Sequence, residues 1–320
     1  MSVPAMTHLR SPTVPPAMLA HESALWQECV WQRCGLYFSE SRLRILHQSL
    51  WERMRRHGMR GYQEYYQYII CHPEGEREWQ ALLQLLLNHE TSFFRHLPSF
   101  EALTGYALPA LMSDTQRGNT LTMWSVGCSI GQEAYSLAKA FLELSTPAAA
   151  SYGRRMGDGA QAGWQARIIA SDISQEILDK ARRGQYKSYE MRSLPAPYRR
   201  RYFTALGAGH HLVYQVVQCV QALVEFHHMN LHDPDSCPPL PPPFLGGRGG
   251  GVDVVFCQNV LIYFKRESRS AIVQRLCQYL RPGGYLFLGP AEVVGLQLPG
   301  VRPVRFPDVL IYQRTPRVAT

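Results

Sequence analysis

The chain has 320 residues, 46% of them hydrophobic and 18% charged, which predicts a globular protein with one large domain or two smaller ones. It contains no run of 18 apolar residues, and its proline-rich amino terminus lacks the apolar stretch of a secretory signal. We therefore predict a cytoplasmic protein without direct membrane insertion. The net charge of +8 favours an anionic partner, such as nucleic acid, an acidic protein surface or a membrane face.

The cysteines and histidines argue against a disulfide framework and against a metal site. The eight cysteines include no Cys-x-x-Cys pair, which favours reduced thiols in a cytoplasmic protein. The pairs His210-His211 and His227-His228 have no partners at the spacing of metal ligands. No metal is therefore predicted.

The amino-terminal third is predicted to be helical. Residues 1–24 are expected to form a disordered extension, and residues 25–105 a small helical domain. Apolar residues recur there at helical spacing, namely Leu43, Leu46, Leu50, Met54, Trp79, Leu82, Leu83 and Leu86. Four arginines share roughly one helical face without an interleaved acidic residue: Arg42, Arg53, Arg56 and Arg60. Such a face is either an ordinary solvated surface or a docking surface for an acidic partner.

Residues 106–320 are predicted to form an α/β domain that begins with a strand, a glycine loop and a helix. The apolar run LTMWSV, Leu121 to Val126, breaks into a loop at Gly127, Ser129 and Gly131, and a helix begins near Gln132. This arrangement opens a ligand crevice at the carboxyl end of the first strand of a parallel sheet.

The loop Gly127 to Gly131 has two interpretations. It fits the G-x-S-x-G elbow of α/β hydrolases, but the last histidine is His232, and 88 residues follow it, which is early for a catalytic triad. It also fits a nucleoside-binding loop, which needs an acidic residue at the tip of the next strand to accept both ribose hydroxyls. The strand ARIIASD ends in Asp172, which is followed by Ser174 as the predicted cap of a helix closed by Gly184.

Further alternation of strands and helices predicts a doubly wound sheet. A third apolar strand spans Val252 to Cys257, a helix about Ser268 to Leu280, and the later strands are YLFLG, after a turn at residues 281–284, and DVLIYQ. Residues 151–163 and 238–251 are rich in glycine and proline and are predicted to be surface loops. The β-prone pieces LVYQVV and ALVEF predict a small antiparallel β-subdomain at about residues 200–228.

Five stretches, in order, resemble the CheR family, the S-adenosylmethionine-dependent methyltransferases that esterify glutamates on bacterial chemoreceptors. They are HETSFFR, WSVGCSIGQEAYSLA, ASDIS with ILDKARRGQY, FCQNVLIYF and LRPGGYLFLGPAE. The resemblance spans most of residues 25–315. It implies a Rossmann-like, S-adenosylmethionine-dependent methyltransferase domain with a small all-helical amino-terminal domain and a small antiparallel β-subdomain.

The resemblance also implies a set of site residues. Cofactor contacts fall on Thr91, Arg95, Glu133, Asp172, Asn230, Leu231, Gln258 and Asn259. Within this set, Asp172 matches the ribose-binding aspartate, and Arg95 is expected to pair with the amino-acid end of the cofactor. Catalytic roles fall on Arg95, as an orienting clamp, and on Tyr263, which matches the active-site tyrosine. By its position in the apolar VLIYF alone, Tyr263 would be a core aromatic.

The chain departs from the family pattern at several positions. His89 stands where the family has asparagine, Gln132 and Ala134 alter the common Gly-Glu-Glu-Pro-Tyr-Ser, and Gln258 replaces an arginine. GPAE replaces the usual Gly-His-Ser-Glu at the end of a strand. These changes suggest a specialised branch of the family, such as one serving a pilus-linked chemosensory pathway.

The resemblance implies methylation of glutamate side chains on the cytoplasmic domain of methyl-accepting chemoreceptors, with S-adenosylhomocysteine as the other product. The four arginines would then dock the glutamate-rich receptor helices. A nucleic-acid methyltransferase is not favoured, because Asn259 is followed by Val-Leu-Ile-Tyr rather than by Pro-Pro and an aromatic residue. A small-molecule methyltransferase is possible, but it would give the basic helical domain no obvious function. A catalytically weak docking module on receptor arrays is the remaining alternative.

Overall fold

The chain divides between Asn88 and His89 into a helical unit and a larger α/β unit. The computed structural model describes residues 15–114, 118–145, 163–241, 250–292 and 298–315. Within these ranges, none of the helices has the length and apolar character needed to cross a bilayer. The fold class predicted from the sequence is confirmed.

The helical unit consists of α1 (Ala20–Cys34), α2 (Leu43–Arg56), α3 (Tyr62–Cys71) and α4 (Gly75–Leu86). Seven of the eight apolar positions that predicted helices are buried; only Leu43 is half-exposed. Trp26 of α1 stacks on Tyr65 of α3 with ring centroids 5.4 Å apart. The predicted disordered extension overlaps α1, and residues 20–24 are helical, because AHESA contains good helix formers. Residues 1–14 of that extension lie outside the described part of the chain.

The α/β unit begins at His89, whereas the sequence analysis extended the helical domain to residue 105 and so included the first helix of this unit, α5 (Leu97–Ala102). A π-helical turn at Leu103–Ala107 joins α5 to α6 (Leu108–Met112). Phe100, Leu103 and Leu108 belong to the hydrophobic core that covers one face of the main sheet. The sequence shows only that the segment is helical, and it is burial against the sheet that places it in the second unit.

The main sheet has seven strands in the order β6-β2-β1-β7-β8-β10-β9. Its strands are β1 (Thr120–Val126), β2 (Gln165–Asp172), β6 (Val224–His228), β7 (Val252–Cys257), β8 (Leu280–Leu288), β9 (Val301–Arg305) and β10 (Leu310–Arg314). The first five pair in parallel, and β10 pairs antiparallel with both β8 and β9. The carboxyl ends of β1, β2 and β7 therefore meet at one edge, where a crevice forms.

Helices cover both faces of this sheet. Met123 of β1 and Val254 of β7 pack with α7 (Gln132–Ser145) and α8 (Gln175–Arg183). Trp124 and Val255, the next residues along those strands, face the other side with α11 (Arg266–Tyr279). Successive side chains of a strand point to opposite faces. Runs that are apolar at every position therefore mark strands buried on both sides.

A second, three-stranded antiparallel sheet contains β3 (Gln185–Lys187), β5 (Val213–Val216) and β4 (Phe203–Leu206), in that order. The short helices α9 (Ala196–Tyr202) and α10 (Gln218–Gln221) flank it in sequence. The prediction placed ALVEF in this sheet and was wrong, because Val224–His228 pairs in parallel with β2 as the edge of the main sheet. An edge strand with few buried residues resembles a flap strand in sequence.

Two further details differ from expectation near the carboxyl terminus. The predicted turn at residues 281–284 is an irregularity inside β8, where the pairing with β7 shifts register between Val252 and Val254. Strand β9 was not predicted, because it contains Pro303, and a proline argues against a strand. The proline is tolerated here because β9 is an edge strand, in which not every N–H pairs with a neighbour. The predicted surface loops at residues 151–163 and 238–251 lie largely outside the described residues.

Candidate active site at the carboxyl edge of the main sheet

The loop after β1 lies against the loop after β7. Gly127 has a φ of 68°, and a Cβ built there would stand 2.5 Å from Cγ2 of Val260. Only glycine meets both the left-handed conformation and the close approach. The Cys128 N–H donates to the carbonyl of Ser171 in β2 at 2.9 Å. The glycine loop is therefore fixed to both neighbours of β1 and exposes main chain at the crevice.

Asp172, the last residue of β2, is held by two main-chain donors. Its Oδ2 accepts from the Ser129 N–H at 2.8 Å and its Oδ1 from the Ser174 N–H at 3.1 Å. Burial raises the pKa of Asp172, and the N–H groups of Ser174 and Ser129 act in the opposite direction. An ionised carboxylate has about four acceptor positions, so acceptor capacity remains beside these main-chain donors. The predicted cap is also present, with the Ile177 N–H donating to Ser174 Oγ at 3.1 Å.

Glu133 lies in the first turn of α7 and is half-buried. Burial raises its pKa to about 7, against the hydrogen bond that Ser125 Oγ donates to Oε1 at 2.6 Å. The charge of Glu292 raises this pKa further, and the charge of Arg95 lowers it. Glu133 can therefore change its ionisation near neutral pH, when a cation approaches.

The segment from His89 to Arg95 forms another wall. The Phe94 N–H donates to Ser136 Oγ of α7 at 3.1 Å, with Phe94 in the left-handed region at a φ of 51°. Thr91 is half-buried, and the exposed Arg95 donates from Nη1 to the carbonyl of Glu90 at 2.6 Å. The residues predicted to bind the amino-acid end of a cofactor thus share a segment tied to the helix that carries Glu133.

Ser129 contributes to this arrangement in a way that does not favour the hydrolase interpretation. Its N–H donates to Asp172, and its hydroxyl donates to the main-chain carbonyl of His89 at 3.4 Å. The serine links the glycine loop to the His89 segment. A nucleophile would instead have its hydroxyl bonded to a general base.

Asn230 and Leu231 follow β6 and lie beside Asp172. The Met229 N–H donates to the carbonyl of Asp172 at 2.9 Å, which fixes the start of this turn. Asn230 Oδ1 accepts the His232 N–H at 3.0 Å, so its side chain stabilises the turn. Leu231 is buried in the core, and its carbonyl accepts a hydrogen bond from Arg275.

Gln258, Asn259 and Tyr263 occupy the loop after β7. Gln258 Nε2 donates to Ser99 Oγ at 2.8 Å, so this glutamine is tied to α5. Asn259 has a φ of 61°. Tyr263 ends a single helical turn, Leu261–Tyr263, and is half-buried against the core. Phe94, Ser129 and Asn259 are the non-glycine residues with positive φ in the described chain, and all three lie in segments of this site.

The structure places every predicted site residue on segments that border the carboxyl edge of the sheet. Leu231 differs from the rest because its side chain belongs to the core. The sequence analysis assigned no role to Ser125 or Glu292 and considered Ser129 only as the serine of a G-x-S-x-G elbow, although all three lie in stretches that it quoted. Their roles depend on hydrogen bonds between separate loops, and spacing along the chain carries no signal of those bonds.

The donor and acceptor groups fit a nucleoside joined to an amino acid. Asp172 offers acceptors for ribose hydroxyls, and the glycine loop leaves room where a Cβ would collide. Glu133 and Arg95 add an acidic and a basic side chain on neighbouring segments. With the mostly parallel sheet, these features are typical of a methyltransferase that uses S-adenosylmethionine.

Comparison with known proteins identifies the family. Residues 89–304 match the CheR methyltransferase SAM-binding domain, and residues 21–87 match the CheR methyltransferase all-alpha domain. The chain belongs to the CheR methyltransferase family. The matched ranges meet next to the division between the two compact units, after Asn88.

Curated relatives cover most of the chain. Chemotaxis protein methyltransferase Cher2 of Pseudomonas putida is 32% identical over 88% of this chain and 93% of its own length. Chemotaxis protein methyltransferase 1 of Pseudomonas aeruginosa is 34% identical over 82% and 86%. A probable biofilm formation methyltransferase, WspC of Pseudomonas aeruginosa, is 30% identical over 88% of this chain and 60% of its own length. The protein is thus an S-adenosylmethionine-dependent methyltransferase of the chemotaxis type.

The four arginines predicted as a docking face do not share one environment. Arg53 makes two hydrogen bonds to the buried Glu78, at 2.8 and 2.6 Å, and its side chain is 12% exposed. Its assignment to the docking face is wrong, because its acidic partner Glu78 lies on α4, and within α2 itself Glu52 pairs with Arg56. Arg56 and Arg60 are exposed, and Arg42 is half-exposed beside the ring of Phe38.

Proposed function

We propose that this enzyme transfers a methyl group to glutamate side chains of methyl-accepting chemoreceptors and forms glutamyl methyl esters. The proposal is supported by the match to the CheR methyltransferase family, together with Asp172, Glu133, Arg95 and Tyr263 on segments at the carboxyl edge of the main sheet. The proposal includes cytoplasmic localisation, because the receptor glutamates face that compartment.

The cofactor-binding roles are distributed around the crevice. Asp172 accepts the two ribose hydroxyls, and the turn at Asn230 and Leu231 borders the adenine. Thr91 and Arg95 bind the amino-acid end together with Glu133. Gln258 and Asn259 close the crevice on the side of the transferred group. When bound, S-adenosylmethionine supplies a sulfonium-activated methyl group.

The acceptor needs orientation more than activation. A glutamate carboxylate is ionised at neutral pH and needs no general base. Holding two reactants in attack geometry contributes about 7–11 kcal/mol. Arg95 orients the acceptor as an exposed clamp; a tight bidentate pair would reduce the nucleophilicity of the oxygen. Tyr263 fixes the acceptor with a hydrogen bond from its hydroxyl.

The acceptor class is tested by transfer of radiolabelled methyl from S-adenosylmethionine to membranes that carry chemoreceptors, followed by brief alkali. Label on a receptor-sized band that leaves as volatile methanol supports a carboxyl methyl ester. Alkali-stable label contradicts the proposal and indicates nitrogen or carbon acceptors. No label above the Asp172→Asn control favours a docking module.

The role of Tyr263 is tested by Tyr263→Phe. We expect the affinity for S-adenosylmethionine to stay within about threefold of wild type and kcat to fall about 10- to 100-fold, because orientation of the acceptor is lost. Isothermal titration and initial rates on receptor membranes give the two values. A large loss of cofactor affinity would contradict an orienting role.

A further inference from the structure

The Glu292 carboxylate accepts hydrogen bonds from four main-chain N–H groups. They belong to Gly289 (2.6 Å), Asn259 (3.0 Å), Val260 (2.7 Å) and Leu261 (2.7 Å). Glu292 is 1% exposed. A carboxylate with four such donors has its acceptor capacity filled. Burial raises the pKa of Glu292, and the four N–H groups act in the opposite direction. Glu292 therefore joins the segment after β8 to the loop after β7.

The loop held by Glu292 carries the groups nearest to the proposed transfer. Asn259 and Tyr263 both lie on it, and the three consecutive donors are the residues that begin its turn. Asn259 adopts a left-handed conformation that a non-glycine residue takes only when its surroundings impose it. The hydrogen bonds of Glu292 to residues 259–261 are such a constraint.

Close packing next to Glu292 and on the opposite side of the loop limits movement of the hydrogen-bonded groups. A Cβ built on Gly289 would stand 2.4 Å from Oε2 of Glu292, so the carboxylate fills the space above a glycine. On the opposite side of the loop, Val260 contacts the position of the missing Cβ of Gly127. A displacement of residues 259–261 would therefore reach the glycine loop as well as Tyr263.

We propose that Glu292 is a positioning residue for methyl transfer, which fixes the loop of residues 258–263 so that Asn259 and Tyr263 stand at the reacting groups. This inference rests on the proposed function for its catalytic consequence. Glu292 itself lies beneath the loop and bonds only to main-chain groups there. A misplacement of about 1 Å at a reacting centre is enough to lower a rate about 100-fold.

The test compares Glu292→Gln with the matched variant Asp253→Asn. Gln keeps the shape but turns an amide NH2 toward N–H donors. Asp253 is another fully buried carboxylate; its Oδ2 accepts the Thr122 N–H at 2.8 Å, and it lies at the amino end of β7, away from the crevice. Both variants replace one buried carboxylate of the α/β unit; Asp253 also pairs with Arg281 at 3.4 Å, so Asp253→Asn should disturb stability at least as much.

Two measurements on the full-length protein distinguish the outcomes. Hydrogen exchange of the peptide spanning residues 258–264 should become about tenfold faster in Glu292→Gln and stay unchanged in Asp253→Asn. The kcat on receptor membranes should fall about 10- to 100-fold in Glu292→Gln, with the KM for S-adenosylmethionine changed less than about threefold. Asp253→Asn should lose activity only in proportion to its unfolded fraction.

Unchanged exchange in residues 258–264 overturns the positioning role, whatever the activity. Faster exchange with wild-type kcat overturns its catalytic consequence, as does a loss of activity that matches that of Asp253→Asn. Absence of receptor methylation by the wild-type enzyme contradicts the proposed function instead, and the exchange measurement still decides whether Glu292 fixes the loop.

Discussion

In the role proposed for Glu133, cofactor binding and protein stability should respond to pH in opposite directions. Its pKa is raised to about 7, so between pH 4.5 and 7 the folded protein binds more protons than the unfolded chain. Its contribution therefore lowers stability as the pH rises through this window. The ionised form is the one that attracts a cationic ligand group, so affinity increases over the same change.

We predict that the affinity for S-adenosylmethionine rises between pH 6 and 8 in the wild-type protein and varies much less in Glu133→Gln. Isothermal titration at several pH values measures it, with Ser125→Ala as a second variant. Loss of the Ser125 hydrogen bond should move the midpoint of the profile to higher pH. A wild-type profile as flat as that of Glu133→Gln would contradict this role.

Lys139 places an amine without a hydrogen-bond partner in the core. Its Nζ lies 3.8 Å from the ring centroid of Phe93 and 4.8 Å from that of Phe203, and the residue is fully buried. Burial lowers the pKa of Lys139 well below its usual value. The unfolded chain then binds more protons at neutral pH, so stability contributed at this position rises with pH.

We predict that Lys139→Met raises the free energy of unfolding by about 1–3 kcal/mol at pH 7, and by less at pH 10, because it removes a buried ionisable group. For a unit of this size the change corresponds to about 2–4 °C in Tm for each kcal/mol. Calorimetry at both pH values checks it, with Lys180→Met as the control. Lys180 pairs with Glu190 at 2.8 Å and is partly exposed, so its removal should not stabilise the protein. Destabilisation by Lys139→Met at both pH values would contradict this prediction and would show that the packing of the lysine side chain against Phe93 and Phe203 outweighs the desolvation of its amine.

At the scale of elements, Glu78 links three helices of the helical unit. Besides Arg53 of α2, it accepts from Tyr65 Oη of α3 at 2.7 Å and bonds to Nε2 of His57 at 2.8 Å. Burial opposes ionisation of Glu78, but hydrogen bonds from Arg53, Tyr65 and His57 outweigh it and lower its pKa to about 2. The stabilisation is therefore fully present above about pH 4.5 and is lost as the pH falls toward 2.

We predict that Glu78→Gln lowers the free energy of unfolding of the helical unit by about 3 kcal/mol at pH 7, because it leaves Arg53 without its charged partner. Urea unfolding followed by circular dichroism at 222 nm measures the change. Glu52→Gln is the control, since Glu52 pairs with Arg56 at the surface and should cost less than about 1 kcal/mol. If Glu78→Gln and Glu52→Gln lowered the free energy of unfolding equally, the greater contribution that we assign to the buried ion pair would be contradicted.

Whether a strand or helix could be predicted from the sequence depended on how many of its faces are buried and against which core. Strands β1, β2 and β7 were found as apolar runs, because both of their faces are covered. Strand β6 was placed in the wrong sheet and β9 was not found, since an edge strand shares its composition with surface segments. Helix α5 was included in the helical domain although it belongs to the α/β unit, because amphipathic spacing does not tell which core a helix covers.

Site residues could be predicted from the sequence where a short local pattern, such as an acidic residue at the end of an apolar strand, is typical of one kind of binding. Asp172 at a strand tip and the glycines after β1 were found in this way. Glu292 was quoted without a role, because four main-chain donors from two loops are visible only after folding. Arg53 was misassigned for the same reason: its partner Glu78 lies 25 residues away on another helix.

At the scale of the whole molecule, the net charge of +8 should matter most where arginines remain exposed. Of the four predicted docking residues, Arg56 and Arg60 are exposed, and Arg56 has only a surface pair with Glu52. Interactions of exposed charges are screened within about 10 Å at 0.1 M salt. Docking on glutamate-rich receptor helices would then depend on ionic strength.

We predict that Arg56→Glu with Arg60→Glu weakens receptor methylation about tenfold at low salt, and that the difference from wild type shrinks at 0.5 M salt. The matched control is Arg77→Glu with Arg302→Glu, two exposed arginines outside the proposed face. Each Arg→Glu change alters the charge by two, so both double variants go from +8 to +4. Equal losses in the two double variants would indicate long-range attraction without a defined docking face.

The pairing of β1 has a consequence for biosynthesis. One edge of this central strand pairs with β2, and the other edge pairs with β7, which is synthesised much later. The Thr122 N–H of β1 donates to Asp253 of β7, 131 positions later in the chain. A nascent chain that has not reached residue 252 carries an apolar strand with an open edge, the kind of surface on which incomplete chains associate. Translation arrest or truncation before β7 should therefore produce aggregates and a demand for chaperones. The helical unit ahead of it ends at Asn88, so its helices can pack on one another while synthesis of the α/β unit continues.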